Sequence, residues 1–267
     1  MNKKSIYIAG VARSGTSWLG QIFDSAKAVN FKFQPLFAYE FKNWVNEDSL
    51  ASDFENLLQQ MDTKNSDFLS QTDKKLTGEY PTFDKDIKTE FLVFKENRYQ
   101  NIIEPMMRKI PNLKLVAIIR NPNAVMNSWL QNEKDFPKGA APLKEWRYGA
   151  CKNSGGEDFY GYYKWKEVCN IYLDLKEKWP ERVCVVNYEE LTSKPEEVTK
   201  RLFEFCSIPY EKQTIDFLTA STTQHISSPY SVFKNSSVID KWRHELDPYI
   251  SNEIIQDLTG TRLEQFI

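Results

Sequence analysis

Ile6-Tyr7-Ile8-Ala9, running into Gly10-Val11-Ala12-Arg13-Ser14-Gly15-Thr16-Ser17-Trp18-Leu19, is the stretch on which the fold turns. Four apolar residues suit a short buried strand over residues 5–10, and the two glycines bracket a tight turn. Trp18, Leu19, Ile22 and Phe23 then form the apolar stripe of a helix over residues 16–27. Strand, glycine turn and helix in that order make an anion cradle, because the N–H groups at the helix start and the helix dipole both favour negative charge. Ser14, Thr16 and Ser17 add hydroxyl donors. A phosphate loop that handles magnesium triphosphate carries a lysine after its second glycine. Thr16 stands there instead, and the positive charge has moved back to Arg13. The loop is built for an anion, and not for a magnesium triphosphate.

Outward from this loop, Phe91-Leu92-Val93-Phe94 is an unbroken apolar run, and residues 113–119 are a second run, broken only by Lys114 near its start, both of the kind buried on both faces of a sheet. Residues 182–187 form another strand. Helices are expected over 98–109, from Pro122 to about 131, over 158–179, and from Pro195 to 206; proline suits a first helical turn and stops a preceding one. Residues 39–60 read as interrupted helix and 61–90 as poorly patterned. Residues 132–157 read as a surface loop or lid, 222–238 as loop, and two helices close the chain. Strands alternating with helices predict an α/β fold: a single domain over 1–267 with a central parallel sheet flanked by helices, of the P-loop nucleotide-binding kind. Ligands in such sheets sit beyond the carboxyl ends of the strands.

Composition narrows the function classes. With 267 residues, 41% hydrophobic and 27% charged, the chain reads as a globule with a sizeable core. A formal charge of −2 gives no general attraction to nucleic acid or anionic membrane, so any anion site must be local. The start of the sequence falls short of a secretory signal, and no apolar run reaches membrane-span length. Cys151, Cys169, Cys184 and Cys206 are scattered, as free thiols of a reducing, cytoplasmic setting would be.

Three strand ends bring chemistry to one rim. The first carries the loop with Arg13. After residues 113–119 comes Arg120, whose planar fork suits a second phosphate, and Ser128 lies about two helical turns further on. Lys95 follows the run 91–94 at the same edge.

This combination resembles the sulfotransferases that use 3′-phosphoadenosine 5′-phosphosulfate (PAPS), over nearly the whole chain. Arg13-Ser14-Gly15-Thr16-Ser17-Trp18-Leu19 is similar to that family's loop for the 5′-phosphosulfate, and residues 115–122 with Ser128 to its 3′-phosphate site. Val185-Val186-Asn187-Tyr188-Glu189-Glu190-Leu191 resembles the strand and turn in which a tyrosine, here Tyr188, approaches the nucleotide. Residues 231–237, with Lys234, Asn235 and Ser236, followed by Lys241-Trp242-Arg243, resemble a late loop that closes over the 3′-phosphate and adenine. The resemblance implies PAPS as donor, no metal, Trp18 stacked on adenine with Tyr230 or Phe233 opposite, and Arg13 and Lys95 offsetting charge on the bridging oxygen.

The general base is less legible. Where many small-molecule sulfotransferases place a histidine, this sequence has Asn97; His225 and His244 lie far along the chain. Glu96 is the economical replacement, with Glu40 and Glu79 as further options. The acceptor expected is a hydroxyl on a small molecule or glycan. A carbohydrate or other polar metabolite is favoured by the missing histidine and by the aromatic lid residues Trp146, Tyr148, Tyr160, Tyr162 and Tyr163. The alternatives are a P-loop kinase, opposed by the missing lysine, and a non-catalytic nucleotide-binding protein.

Overall fold

The structure is a computed structural model and describes residues 3–37, 40–223, 232 and 240–267. Five parallel strands, β1 (Lys4–Ala9), β2 (Val29–Phe33), β3 (Phe91–Glu96), β4 (Lys114–Ile119) and β5 (Val183–Asn187), form one sheet in the order β2-β3-β1-β4-β5. Helix α1 (Thr16–Asp24) links β1 to β2, and α2 (Ala51–Thr63), α3 (Asp67–Ser70) and α4 (Thr72–Leu76) lie between β2 and β3. Next come α5 (Ile103–Lys109), α6 (Pro122–Leu130), α7 (Pro142–Glu145) and α8 (Tyr162–Lys178). After β5 follow α9 (Tyr188–Ser193), α10 (Pro195–Cys206), α11 (Lys212–Thr223), α12 (Trp242–Glu245) and α13 (Pro248–Leu258).

The apolar runs form the inner strands because each is covered twice. Side chains alternate across a strand, so Ile6, Ile8, Val93, Val116 and Ile118 join the core beneath α1, α10 and α11. Tyr7, Ala9, Leu92, Phe94, Leu115 and Ala117 join the opposite core, beneath α2, α5, α6, α8 and α13. Strand β2 is the one the sequence did not announce. Val29-Asn30-Phe31-Lys32-Phe33 alternates instead of running apolar, because it is an edge strand. Its Lys32 is nonetheless buried, donating to the Lys64 carbonyl (2.6 Å) and Asn65 Oδ1 (3.0 Å). Burial pulls the pKa of that ammonium down to about 8.

The site follows from connectivity. Neighbouring strands β1 and β4 send their following helices to opposite faces, α1 into one core and α6 into the other. Such a switch point leaves a crevice beyond the strand ends. The segment 61–90, expected to lack pattern, folds into α3 and α4, and the lid segment contains α7.

Candidate functional site

A cavity of about 1510 Å³ opens at this crevice, lined by the glycine turn, the ends of β2 and β3, the start of α6, residues 131–135, Tyr188 and α12. Among its described lining residues, seven side chains are cationic and five acidic, so a chain of net negative charge turns a positive surface to this space.

The turn has the strained backbone that an anion cradle needs. Arg13 adopts φ 72° and Gly15 φ 87°, both left-handed. Gly15 is required twice over. A Cβ there would be strained by its φ and would lie 2.5 Å from the Tyr188 ring. Gly15, Thr16, Ser17 and Trp18 line the cavity, so it receives the first-turn N–H groups, which an α-helix leaves without internal acceptors. Ser14 does not line it. Its hydroxyl is fully buried, with no hydrogen-bond partner among the described residues.

Arg120 and Tyr188 arrive side by side because β4 and β5 pair Ile119 with Asn187, their immediate predecessors. The Arg120 guanidinium lies 4.6 Å from the centre of the Tyr188 ring, and its NH1 donates to the Arg13 carbonyl at 2.9 Å. Its Nε is buried and meets no acceptor among the described residues. Behind it, Trp165 Nε1 donates to the Arg120 carbonyl (3.0 Å), and the Asn121 N–H donates to Glu189 Oε1 (3.1 Å). The strand end is thereby fixed from two sides.

Ser128 also faces the turn, but accepts from Arg13 Nε at 2.9 Å and not from Arg120. The two expected cationic pockets are therefore joined through Arg13. Trp18 is half-buried, lines the cavity, meets Tyr188 edge-on at 6.3 Å and donates through Nε1 to Ser221 Oγ (3.0 Å). Its ring is thus a cavity wall as well as a packing element.

Strand β3 extends two residues beyond the apolar run, through Lys95 and Glu96, which therefore point to opposite faces. Lys95 lines the cavity. Its ammonium sits 4.3 Å from the Phe33 ring centre, and burial lowers its pKa, with Lys74 and Arg13 adding to the effect. Glu96 does not line the cavity. It is fully buried toward Tyr7, and Oε1 accepts from the Leu36 N–H at 2.7 Å. Burial raises its pKa above the usual carboxylate range. The pleat thus turns Glu96, the expected general base, to the face of the sheet away from the cavity. Glu96→Gln, which keeps an acceptor for Leu36, is expected to leave turnover within about threefold. Glu96→Leu strands that buried N–H and should cost about 1–3 kcal/mol in urea unfolding. A hundredfold drop in turnover for Glu96→Gln would return the base role to it.

Neither Glu40 nor Glu79 lines the cavity, and His244 lies outside it. Of the lid aromatics, Tyr160 reaches the cavity, Trp146 and Tyr162 are core, and Tyr148 and Tyr163 are exposed. Lys234, Asn235 and Ser236, with Tyr230, Phe233 and His225, lie outside the described residues. Sequence reasoning missed Lys74 and Asp135. Lys74 sits on α4 over the rings of Phe33 (5.1 Å) and Tyr80 (4.7 Å), and Asp135 Oδ2 lies 3.6 Å from Arg13 NH1. Both belong to segments without periodicity, where no sequence signal marked them.

Comparisons with known proteins bear on the family and the fold. An uncharacterized protein of Aquifex aeolicus is 24% identical over 282 residues, covering 96% of this chain and 33% of that one. Mouse carbohydrate sulfotransferase 3 is 30% identical over 162 residues, covering 58% of this chain and 34% of its own. The chain thus spans about a third of the length of the curated relatives it matches. Among solved structures, mouse sulfotransferase SULT7A1 complexed with PAP superposes with a TM-score of 0.58 at 13% identity, over 98% of this chain and 87% of that one. The sulfotransferase domain from the curacin biosynthetic pathway gives 0.54 at 16% identity, over 96% and 98%. These two likenesses speak for the fold. The sulfotransferase domain family model matches residues 3–266, and the chain belongs to that family.

Proposed function

We propose that this chain transfers a sulfuryl group from PAPS to a hydroxyl acceptor, a carbohydrate or another polar metabolite, as one domain working in the cytoplasm. The observation that carries the reading is the Arg120 guanidinium, held by the Arg13 carbonyl and the Tyr188 ring with a buried Nε that meets no acceptor among the described residues. An N–H donor kept dry and unpaired costs stability, and an anion beside it removes that cost.

The residues fit such a donor. Arg120 and Ser128 suit the 3′-phosphate, the first-turn N–H groups with Thr16, Ser17 and Arg13 suit the phosphosulfate, and Trp18 with Tyr188 suits the base. The late loop with Lys234, Asn235 and Ser236 is assigned to the 3′-phosphate side on resemblance. The transferred group carries less charge than a triphosphate tail, so Thr16 can replace the usual lysine. As the sulfuryl leaves, negative charge builds on the bridging oxygen, and Arg13 and Lys95 are its fixed cationic neighbours. For the acceptor, Phe33, Phe37 and Phe68 offer ring faces beside the polar Gln34 and Asn97, a mixture suited to sugars. The name of the mouse relative points the same way.

Calorimetry tests the donor assignment. Adenosine 3′,5′-bisphosphate is expected to bind equally well with and without EDTA, and ATP-magnesium to bind poorly; the reverse ranking would favour a kinase. Mass spectrometry of a panel of monosaccharides, oligosaccharides, phenols and alcohols incubated with PAPS should then find one product heavier by a sulfuryl group.

A further inference from the structure

The acceptor hydroxyl needs a base, and Glu96 faces the other side of the sheet. Among the described residues, Asp67, Asp73, Glu133, Asp135 and Glu245 are the acids that line the cavity. Glu245 is engaged by Asn127 Nδ2 at 2.8 Å, on the side of Trp242, and Asp67 and Asp73 start the short helices α3 and α4. Asp135 stands apart by its neighbours. Its Oδ2 lies 3.6 Å from Arg13 NH1, and its negative charge also bears on the Lys95 ammonium. Those are the two cations assigned to the sulfuryl group, so this carboxylate is next to where the sulfur would be attacked.

Its orientation is built in. The Asn132 side chain, itself buried, donates through Nδ2 to Asp135 Oδ2 at 2.7 Å. The Asp135 N–H donates to the Asn132 carbonyl at 2.9 Å, and Phe136, packed edge-on against Trp129 at 5.2 Å, anchors the turn. A base oriented by a third group is the arrangement that general-base catalysis uses.

The geometry points to Asp135 as the general base of this site, an assignment that rests on the sulfuryl-transfer reading above. The Asp135 carboxylate takes the acceptor O–H proton as the acceptor oxygen forms its bond to sulfur. The bond from sulfur to the bridging oxygen breaks, its electron pair stays on the 5′-phosphate, and the proton later passes from Asp135 to water. The products are the sulfate ester, adenosine 3′,5′-bisphosphate and one proton.

The test uses the full chain, PAPS and the best acceptor from the panel. Asp135→Asn is expected to lower kcat about a hundredfold while bisphosphate affinity stays within threefold. Asp135→Ala should lose turnover similarly and recover part of it in added formate, which a purely structural role would not produce. Turnover retained by Asp135→Asn overturns the assignment. So does a parallel loss of bisphosphate binding in both variants without formate rescue, which would make Asp135 a holder of Arg13. If the wild-type chain sulfates nothing in the panel, the sulfuryl-transfer reading itself fails, and this inference with it.

Discussion

Arg120→Ala is expected to weaken adenosine 3′,5′-bisphosphate by about 3 kcal/mol, roughly 150-fold, while adenosine 5′-phosphate loses less than about threefold. Charge-assisted hydrogen bonds to a phosphate contribute about 1.5–3 kcal/mol each, and Arg120 has more than one N–H to offer. It reaches the cavity already oriented, by the Arg13 carbonyl at 2.9 Å and the Tyr188 ring at 4.6 Å, so little ordering entropy is lost when the ligand arrives. Arg120→Lys should recover only part of the loss, since a point charge cannot reproduce the fork. Titration calorimetry of the two nucleotides reads the difference directly. Equal losses for both would detach Arg120 from the 3′-phosphate.

Lys95→Met is expected to lower kcat by about 10²–10³ while the KM for PAPS changes only a few-fold. An ammonium in a dry site acts strongly on charge that develops during transfer, and Lys95 is among the most buried cations of the described residues. The same burial predicts that the variant is at least as stable as the parent, since methionine fills the space without a desolvated charge. The pH dependence has a definite sign. Lys95 titrates below the 10.5 of a water-exposed lysine, so above its folded pKa the unfolded chain holds a proton that the folded chain lacks. Stability from this group therefore rises with pH across that window, and turnover that needs the charged form falls. Lys95→Met should flatten the alkaline limb of the kcat profile. A variant with unchanged kcat would remove Lys95 from the reaction.

Much of this was legible in the residues themselves. A short apolar run, two glycines and a helical stripe leave the chain few options, because glycine alone tolerates both the φ of 87° at Gly15 and the closeness of the Tyr188 ring. The runs at 91–94 and 115–119 are apolar on both sides, as an inner strand of a covered parallel sheet requires. Loop, inner strands, Arg120 and Lys95 therefore followed from local pattern. Strand β2 did not, because an edge strand with a satisfied buried lysine leaves a weak pattern.

Tertiary structure alone decided which face each rim residue serves. One more residue of strand sends a side chain to the other side of the sheet, and β3 continues through Glu96, so Lys95 enters the cavity and Glu96 the opposite core. Whether Ser128 meets Arg13 or Arg120 depended on how α6 packs, which eight residues of spacing do not specify. Lys74 and Asp135 reach the site through short helices and turns whose positions are set by packing across the chain. Periodicity encodes the faces of long elements, and side chains carried by brief ones take their place only when the core closes around them.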